Sequence, residues 1–205
     1  MHKLIIEPYR YEFGDCNKNI LITFLRHNKL DYKMLFCSSW GFKYDKDMNC
    51  SLLGEKLDKG TLFSFEDLLY KYYSINITVH SIKKNEHKKY FDILSEEILC
   101  GNPCAINMDT FWDPSTENAG FYKKIHHTGH GRLISGFDKQ NASVFYYALN
   151  QYDPKEEFQL TFENFANGCT DLLIFRQEKE YNRPSCEEIL TFSINNFCKL
   201  ENKKE

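Results

Sequence analysis

An α+β fold is predicted by three features of the chain. Apolar stripes of helical period concentrate in its first hundred residues, short strand-like runs follow, and turn residues punctuate the passage between them. The helices come first and a mostly antiparallel sheet comes later. Neither an internal repeat nor a low-complexity block interrupts this order, and only the end from Glu201 is polar and lysine-rich.

Met1 to Tyr11 is a short lead-in. From Cys16 to Asn28, Ile20, Leu21, Phe24 and Leu25 form one apolar stripe, so a helix starts at Cys16. Gly14 permits the sharp turn into it, and Asp15 is an N-cap whose carboxylate accepts from backbone N–H groups two or three residues on. A second helix is predicted near Asp31 to Ser38. Ser64 caps a third, with Glu66 and Asp67 in its first turn and Leu68, Leu69, Tyr72 and Tyr73 on its apolar side. Ile75 to Ile82 alternates as a strand, Glu86 to Cys100 reads as a helix, and Gly101-Asn102-Pro103 ends it. Strands are predicted at Cys104 to Met108, Gly131 to Phe137, Ser143 to Leu149 and Leu172 to Phe175, with a helix near Thr161 to Ala166. Asp109 to Lys124 is too irregular for a core element. It reads either as a loop over a cleft, since it runs into the strand led by His130, or as a surface excursion.

With 205 residues the chain is long enough to bury a substantial core. Residues 1–178 read as the principal domain and 179–205 as a tail or helical appendage beyond a linker near Glu178 to Pro184. Its 17 Phe and 13 Tyr are read chiefly as packing residues. A net charge of −3 without a basic face argues against nucleic acid as a partner. The eight cysteines show neither CxxC pairs nor regular spacing, which fits reduced thiols in a cytoplasm better than a zinc ribbon or a secreted disulfide framework. No signal-peptide or membrane-spanning run is seen, so a cytoplasmic protein without membrane attachment is expected.

The chemistry concentrates on Cys16. On the first turn of a helix, unpaired N–H groups and the positive end of the macrodipole favour thiolate, whereas the neighbouring Asp15 opposes ionisation. An imidazole is therefore needed, and His130, at the head of His130-Gly131-Arg132-Leu133-Ile134-Ser135-Gly136-Phe137-Asp138, is the candidate. If the two strands form a hairpin with Lys139, Gln140 and Asn141 at its tip, Asp138 faces Ala142 and His130 faces Asn150, close enough for the amide to orient the ring. A one-residue bulge would break that register, and Asp153 is the fallback. His126, His127 and His130 lack a thiol or carboxylate at ligand spacing, so no metal site is predicted. Loop anchoring or substrate contact is the reading for His126 and His127.

These blocks resemble a known family. Gly14-Asp15-Cys16 before a helix, Trp40-Gly41-Phe42-Lys43-Tyr44, Gly101-Asn102-Pro103 leading a strand that ends at Asp109, and His126-His127-Thr128-Gly129-His130 before Ser135-Gly136-Phe137-Asp138 are similar to the butirosin biosynthesis protein H N-terminal domain family. That family is a papain-like branch, similar also to the cysteine peptidases that cleave double-glycine leader peptides. The likeness covers roughly residues 8 to 170. It implies a papain-like fold with a nucleophile helix on the sheet. It further implies transfer of an acyl group from the phosphopantetheine arm of an acyl carrier protein, through a thioester on Cys16, to an amine in specialised-metabolite (antibiotic) biosynthesis, with no cofactor of the chain's own.

Carried over residue by residue, Cys16 is the nucleophile, His130 the base and then the acid, and Asn150 the third member. Where the peptidases carry an oxyanion-hole Gln, this chain has Arg10, so Arg10, Asn17 and Asn19 are the side-chain candidates, with Asp109 and His127 as further substrate contacts. An acidic carrier calls for basic surface near the cleft, for which Lys123 and Lys124 are candidates. Two alternatives share the fold: a peptidase or amidase using the same Cys-His-Asn set, and a catalytically silent binding domain.

Overall fold

The computed structural model describes residues 1–11, 15–36, 43–44, 57–58, 65–127, 129–149, 155–178, 181 and 184–201. The chain divides into two compact units: Met1–Lys29 with Ile77–Arg176, and Leu30–Asn76 with Gln177–Glu205.

The first unit carries the sheet. Its elements are β1 (His2–Lys3), α1 (Cys16–His27), most of β4 (Ile75–Ser81), α3 (His87–Leu99), β5 (Cys104–Met108), β6 (His130–Asp138), β7 (Ser143–Tyr147), β8 (Glu157–Thr161), α4 (Phe162–Gly168) and β9 (Cys169–Gln177). Among the described residues, seven strands join in the order β4-β9-β5-β6-β7-β8, with β1 added beside β6. The pairings of β6 with β1, β5 and β7, of β5 with β9 and of β7 with β8 are antiparallel. Period-two alternation gives the sheet two faces. Tyr90, Phe91, Leu94 and Ile98 of α3 share a buried cluster with Ile106, Ile134, Val144, Leu160 and Ile174 on one face. The opposite face receives α1, whose Phe24 ring lies 4.7 Å from that of Phe175 and whose Ile20 meets Gly131.

The hairpin carries a correction. At its tip Asp138 faces Ser143, not Ala142, but the register shifts between Ile134 and Gly136, so Ile134 faces Tyr146 and Leu133 faces Tyr147, the pairs the simple hairpin predicts. The bulge at Ser135 offsets the longer turn instead of destroying the register. Two strands of this sheet went unanticipated: β1, too short to show periodicity, and the edge strand β8. Gly136 has a steric reason to be glycine, because a Cβ there would come within 2.6 Å of the His2 carbonyl oxygen where β1 crosses.

The second unit contains a 3-10 turn at Lys33–Phe36, where a longer helix to Ser38 was expected; residues 37–38 lie outside the described set. It also holds the pair β2 (Lys43–Tyr44) and β3 (Leu57–Asp58), then α2 (Phe65–Tyr73) and α5 (Cys186–Glu201). Tyr73 stacks on Tyr181 with centroids 5.2 Å apart, and Phe192 of α5 meets Tyr72 edge-on. Ser185 and Glu188 form a reciprocal cap at the start of α5. Ser64 and Trp40-Gly41-Phe42 lie outside the described residues. Among the described residues, no helix is long and apolar enough to cross a membrane.

Candidate active site

Asp15 caps α1 as predicted: its carboxylate accepts from Lys18 N–H at 2.8 Å, so Cys16 stands at the first helical position. The lead-in is laced to the same helix. Tyr9 N–H donates to Thr23 Oγ1 at 3.0 Å, and Tyr11 N–H donates to Asn19 Oδ1 at 2.9 Å. Arg10, between these ties, is exposed beside α1. Asn19 is fully buried. Its side-chain oxygen ties the lead-in to the helix. Gly14 lies outside the described residues.

Cys16 is partly exposed, and its thiol reaches Asn17 Oδ1 at 3.9 Å. Its position relative to β6 is set by Gly131. A Cβ on that glycine would meet Asn17 Oδ1 at 2.7 Å, Ile20 Cδ1 at 2.8 Å and Cys16 Sγ at 3.7 Å. With glycine here, the Asn17 amide and the Ile20 terminal methyl pack directly on the β6 backbone. The sulfur thus lies against the backbone position next to His130. Cys104 and Cys169, by contrast, are buried, and burial pushes both thiols up, assisted by Glu97 and Asp113 respectively. They remain protonated thiols.

The imidazole is partnered elsewhere. His130 Nε2 is 2.9 Å from His127 Nδ1, while His130 Nδ1 is buried with no hydrogen-bond partner among the described residues. Desolvation, then the Arg132 guanidinium and His127, hold the His130 pKa below its ordinary value, against an upward pull from Asp113. The ring is consequently a neutral proton acceptor at neutral pH. Catalytic hydrogen bonds in unliganded sites are often open and close only around substrate. Asn150 and Asp153 lie outside the described residues.

Asp109, at the end of β5, has both carboxylate oxygens engaged. Oδ1 accepts from Phe111 N–H and His127 N–H at 3.0 Å each, and Oδ2 lies 2.7 Å from His126 Nδ1. Burial pushes its pKa up, but those three hydrogen bonds together hold it below the usual carboxylate value. The His126 ring stacks on Phe111 at 4.2 Å. Asp109 and His126 thus anchor the loop that follows β5. Lys123 places its ammonium 3.6 Å over the Trp112 ring and donates to Asn164. Among the described residues no three His, Cys, Asp or Glu side chains converge as metal ligands.

Sequence reasoning missed what lies beneath this loop. Arg132 and Asp113 are each fully buried; Arg132 Nε and a terminal nitrogen approach Asp113 Oδ2 at 2.6 Å, and Arg132 also donates to the Gly131 carbonyl at 2.8 Å. Tyr146 O–H and Ser115 O–H donate to Asp113 Oδ1 at 2.5 and 2.7 Å. An arginine directly before the apolar pair Leu133-Ile134 of a central strand was the available signal, because a buried cation needs a carboxylate.

No protein-family model matches the sequence, and no curated protein matches it. Among solved structures, xylellain, a cysteine protease from Xylella fastidiosa, matches with a TM-score of 0.51 at 12% identity, over 86% of this chain and 86% of that one. A putative C39-like peptidase from Bacillus anthracis matches with a TM-score of 0.45 at 13% identity, over 87% of this chain and 100% of that one. The chain has the α+β papain-like fold, with an N-terminal helix bearing Cys16 on a mostly antiparallel sheet.

Proposed function

We propose that the chain performs thiol-dependent acyl transfer, with Cys16 as nucleophile and His130 as base. The observation that carries this is the Cys16 sulfur on the first turn of α1, 3.7 Å from the Cβ position of the residue after His130. His130 takes the thiol proton as sulfur attacks the acyl carbonyl, and returns it to the departing group. In the second half an acceptor attacks the Cys16 thioester, losing its proton to His130, which passes it to the leaving sulfur.

In its finer form the donor is an acyl carrier protein thioester and the acceptor an amine, in a biosynthetic pathway for a specialised metabolite. The order of the Gly-Asp-Cys, His and Ser-Gly-Phe-Asp blocks supports this. A second reading, with water as acceptor, makes the chain a peptidase or amidase, and the xylellain likeness favours it. Both share the acyl-enzyme.

Intact-mass measurement after mixing with acyl-loaded carrier protein, for the native chain and Cys16→Ala, tests the proposal. A Cys16-dependent acyl mass that disappears on adding an amine, with amide formed, supports transfer. Free acid released without amine supports hydrolysis. No adduct from carrier thioesters or activated peptide esters overturns both and leaves a silent domain.

A further inference from the structure

We propose that His127 is a positioning residue for His130, fixing the tautomer that leaves Nδ1 as the proton acceptor. This rests on the reading of Cys16 and His130 as nucleophile and base. The three histidines within five residues invite a metal interpretation, but the geometry divides them into two pairs with different work. His126 belongs to Asp109, and His127 belongs to His130.

The His127 backbone is held at both ends. Its N–H donates to Asp109 Oδ1 at 3.0 Å, and its carbonyl accepts from Thr110 N–H at 3.0 Å. That framework presents the His127 ring to His130, with centroids 4.8 Å apart and Nδ1 to Nε2 at 2.9 Å. A neutral imidazole carries one ring proton, and the hydrogen bond at one nitrogen decides where the proton resides. If His130 carried it on Nδ1, a buried N–H would have no acceptor among the described residues. With the proton on Nε2, it is donated to His127 Nδ1, and only a lone pair on His130 Nδ1 stays unpaired. That lone pair is the one a thiol proton requires. After proton uptake, Nε2–H still donates to His127, so the same contact serves both charge states. The charged or titratable groups around the pair are Arg132 and Asp113 on the His130 side and Asp109 and His126 on the His127 side.

The test compares the full-length chain with His127→Ala and His127→Gln, whose amide oxygen can accept from Nε2–H. Two readouts are used: the His130 tautomer from imidazole nitrogen NMR, and the pH profile of Cys16 acylation by an activated ester, followed by intact mass. The native chain should show His130 protonated on Nε2. His127→Ala should mix the tautomers, lower Cys16 acylation about ten- to a hundredfold and displace its pH midpoint, and His127→Gln should recover most of both. A native tautomer and an unmoved pH profile in His127→Ala overturn the proposal. If the native Cys16 takes no acyl group, the reading of the pair as catalytic fails, and the tautomer measurement alone still decides what His127 does to His130.

Discussion

Gly131 and Cys16 are in effective contact: the Cβ that Gly131 lacks would lie 3.7 Å from the Cys16 sulfur and within 2.8 Å of both Asn17 Oδ1 and Ile20 Cδ1. Gly131→Ala therefore has to push aside the Asn17 amide and the terminal methyl of Ile20, two side-chain ends on α1, and Asn17 adjoins Cys16. Overfilling a packed site of this kind costs about 1–3 kcal/mol. Urea unfolding is expected to report a loss in that range. Cys16 acylation should fall by a larger factor than the loss of folded protein explains, because misplacing a nucleophile by about 1 Å costs on the order of a hundredfold. Equal acylation by native and variant chains would mean that this contact does not set the thiol's position.

Arg132 and Asp113 form a second relationship, on the opposite face of the same strand. Removing one partner leaves the other charge buried, so Asp113→Ala is expected to destabilise the fold by about 3–5 kcal/mol. Replacing both, as Arg132→Met with Asp113→Leu, should restore most of that loss, although Tyr146 and Ser115 lose their acceptor. Chemical denaturation of the two variants and the native chain measures the difference. A double variant no more stable than Asp113→Ala would show that the hydroxyl contacts, not the charge, dominate.

Much of this arrangement was legible in the sequence because it rests on local signals. Asp15 reads as a cap within three residues, α1 as an amphipathic stripe and β5 as a short apolar run after a turn, and all three fall where expected. The parts that escaped depend on long-range pairing. Nothing near Arg132 in the chain reveals Asp113, nineteen residues earlier. Residues His2 and Lys3 are too few to carry a period, although Gly136 was already bare for their passage. His127 and His130 face one another because the chain turns through Gly129 at φ +86°, whereas an extended chain would have kept them apart.

Gly136→Ala tests that passage. Its Cβ would come within 2.6 Å of the His2 carbonyl and 3.0 Å of Lys3 Cα, and backbone cannot yield as a flexible side chain does. The expected result is release of β1 from β6 while β5, β6 and β7 stay paired. Hydrogen exchange should report this as lost protection at Leu4 N–H, which donates to Ser135 O at 2.7 Å. Unchanged protection at Leu4 would mean that the strand accommodates a methyl group.

The pH dependence of stability separates two groups by sign and window. His130 has a folded pKa below its unfolded value of about 6.5, so the unfolded chain binds its proton first as the medium is acidified. The His130 contribution is fully present above about pH 6.5 and is lost as pH falls through the depressed folded value. Asp109 is also depressed, but its unfolded value is about 3.9, so its share stays intact until well below pH 5 and is lost only as pH falls through its own folded value. Urea unfolding at a series of pH values should therefore show His130→Gln losing part of the native slope just below pH 6.5 and Asp109→Asn losing part of it at the acid end. If His130→Gln leaves the slope below pH 6.5 unchanged, the ring is not held neutral by its surroundings, and the proton-acceptor role assigned to it loses its electrostatic basis.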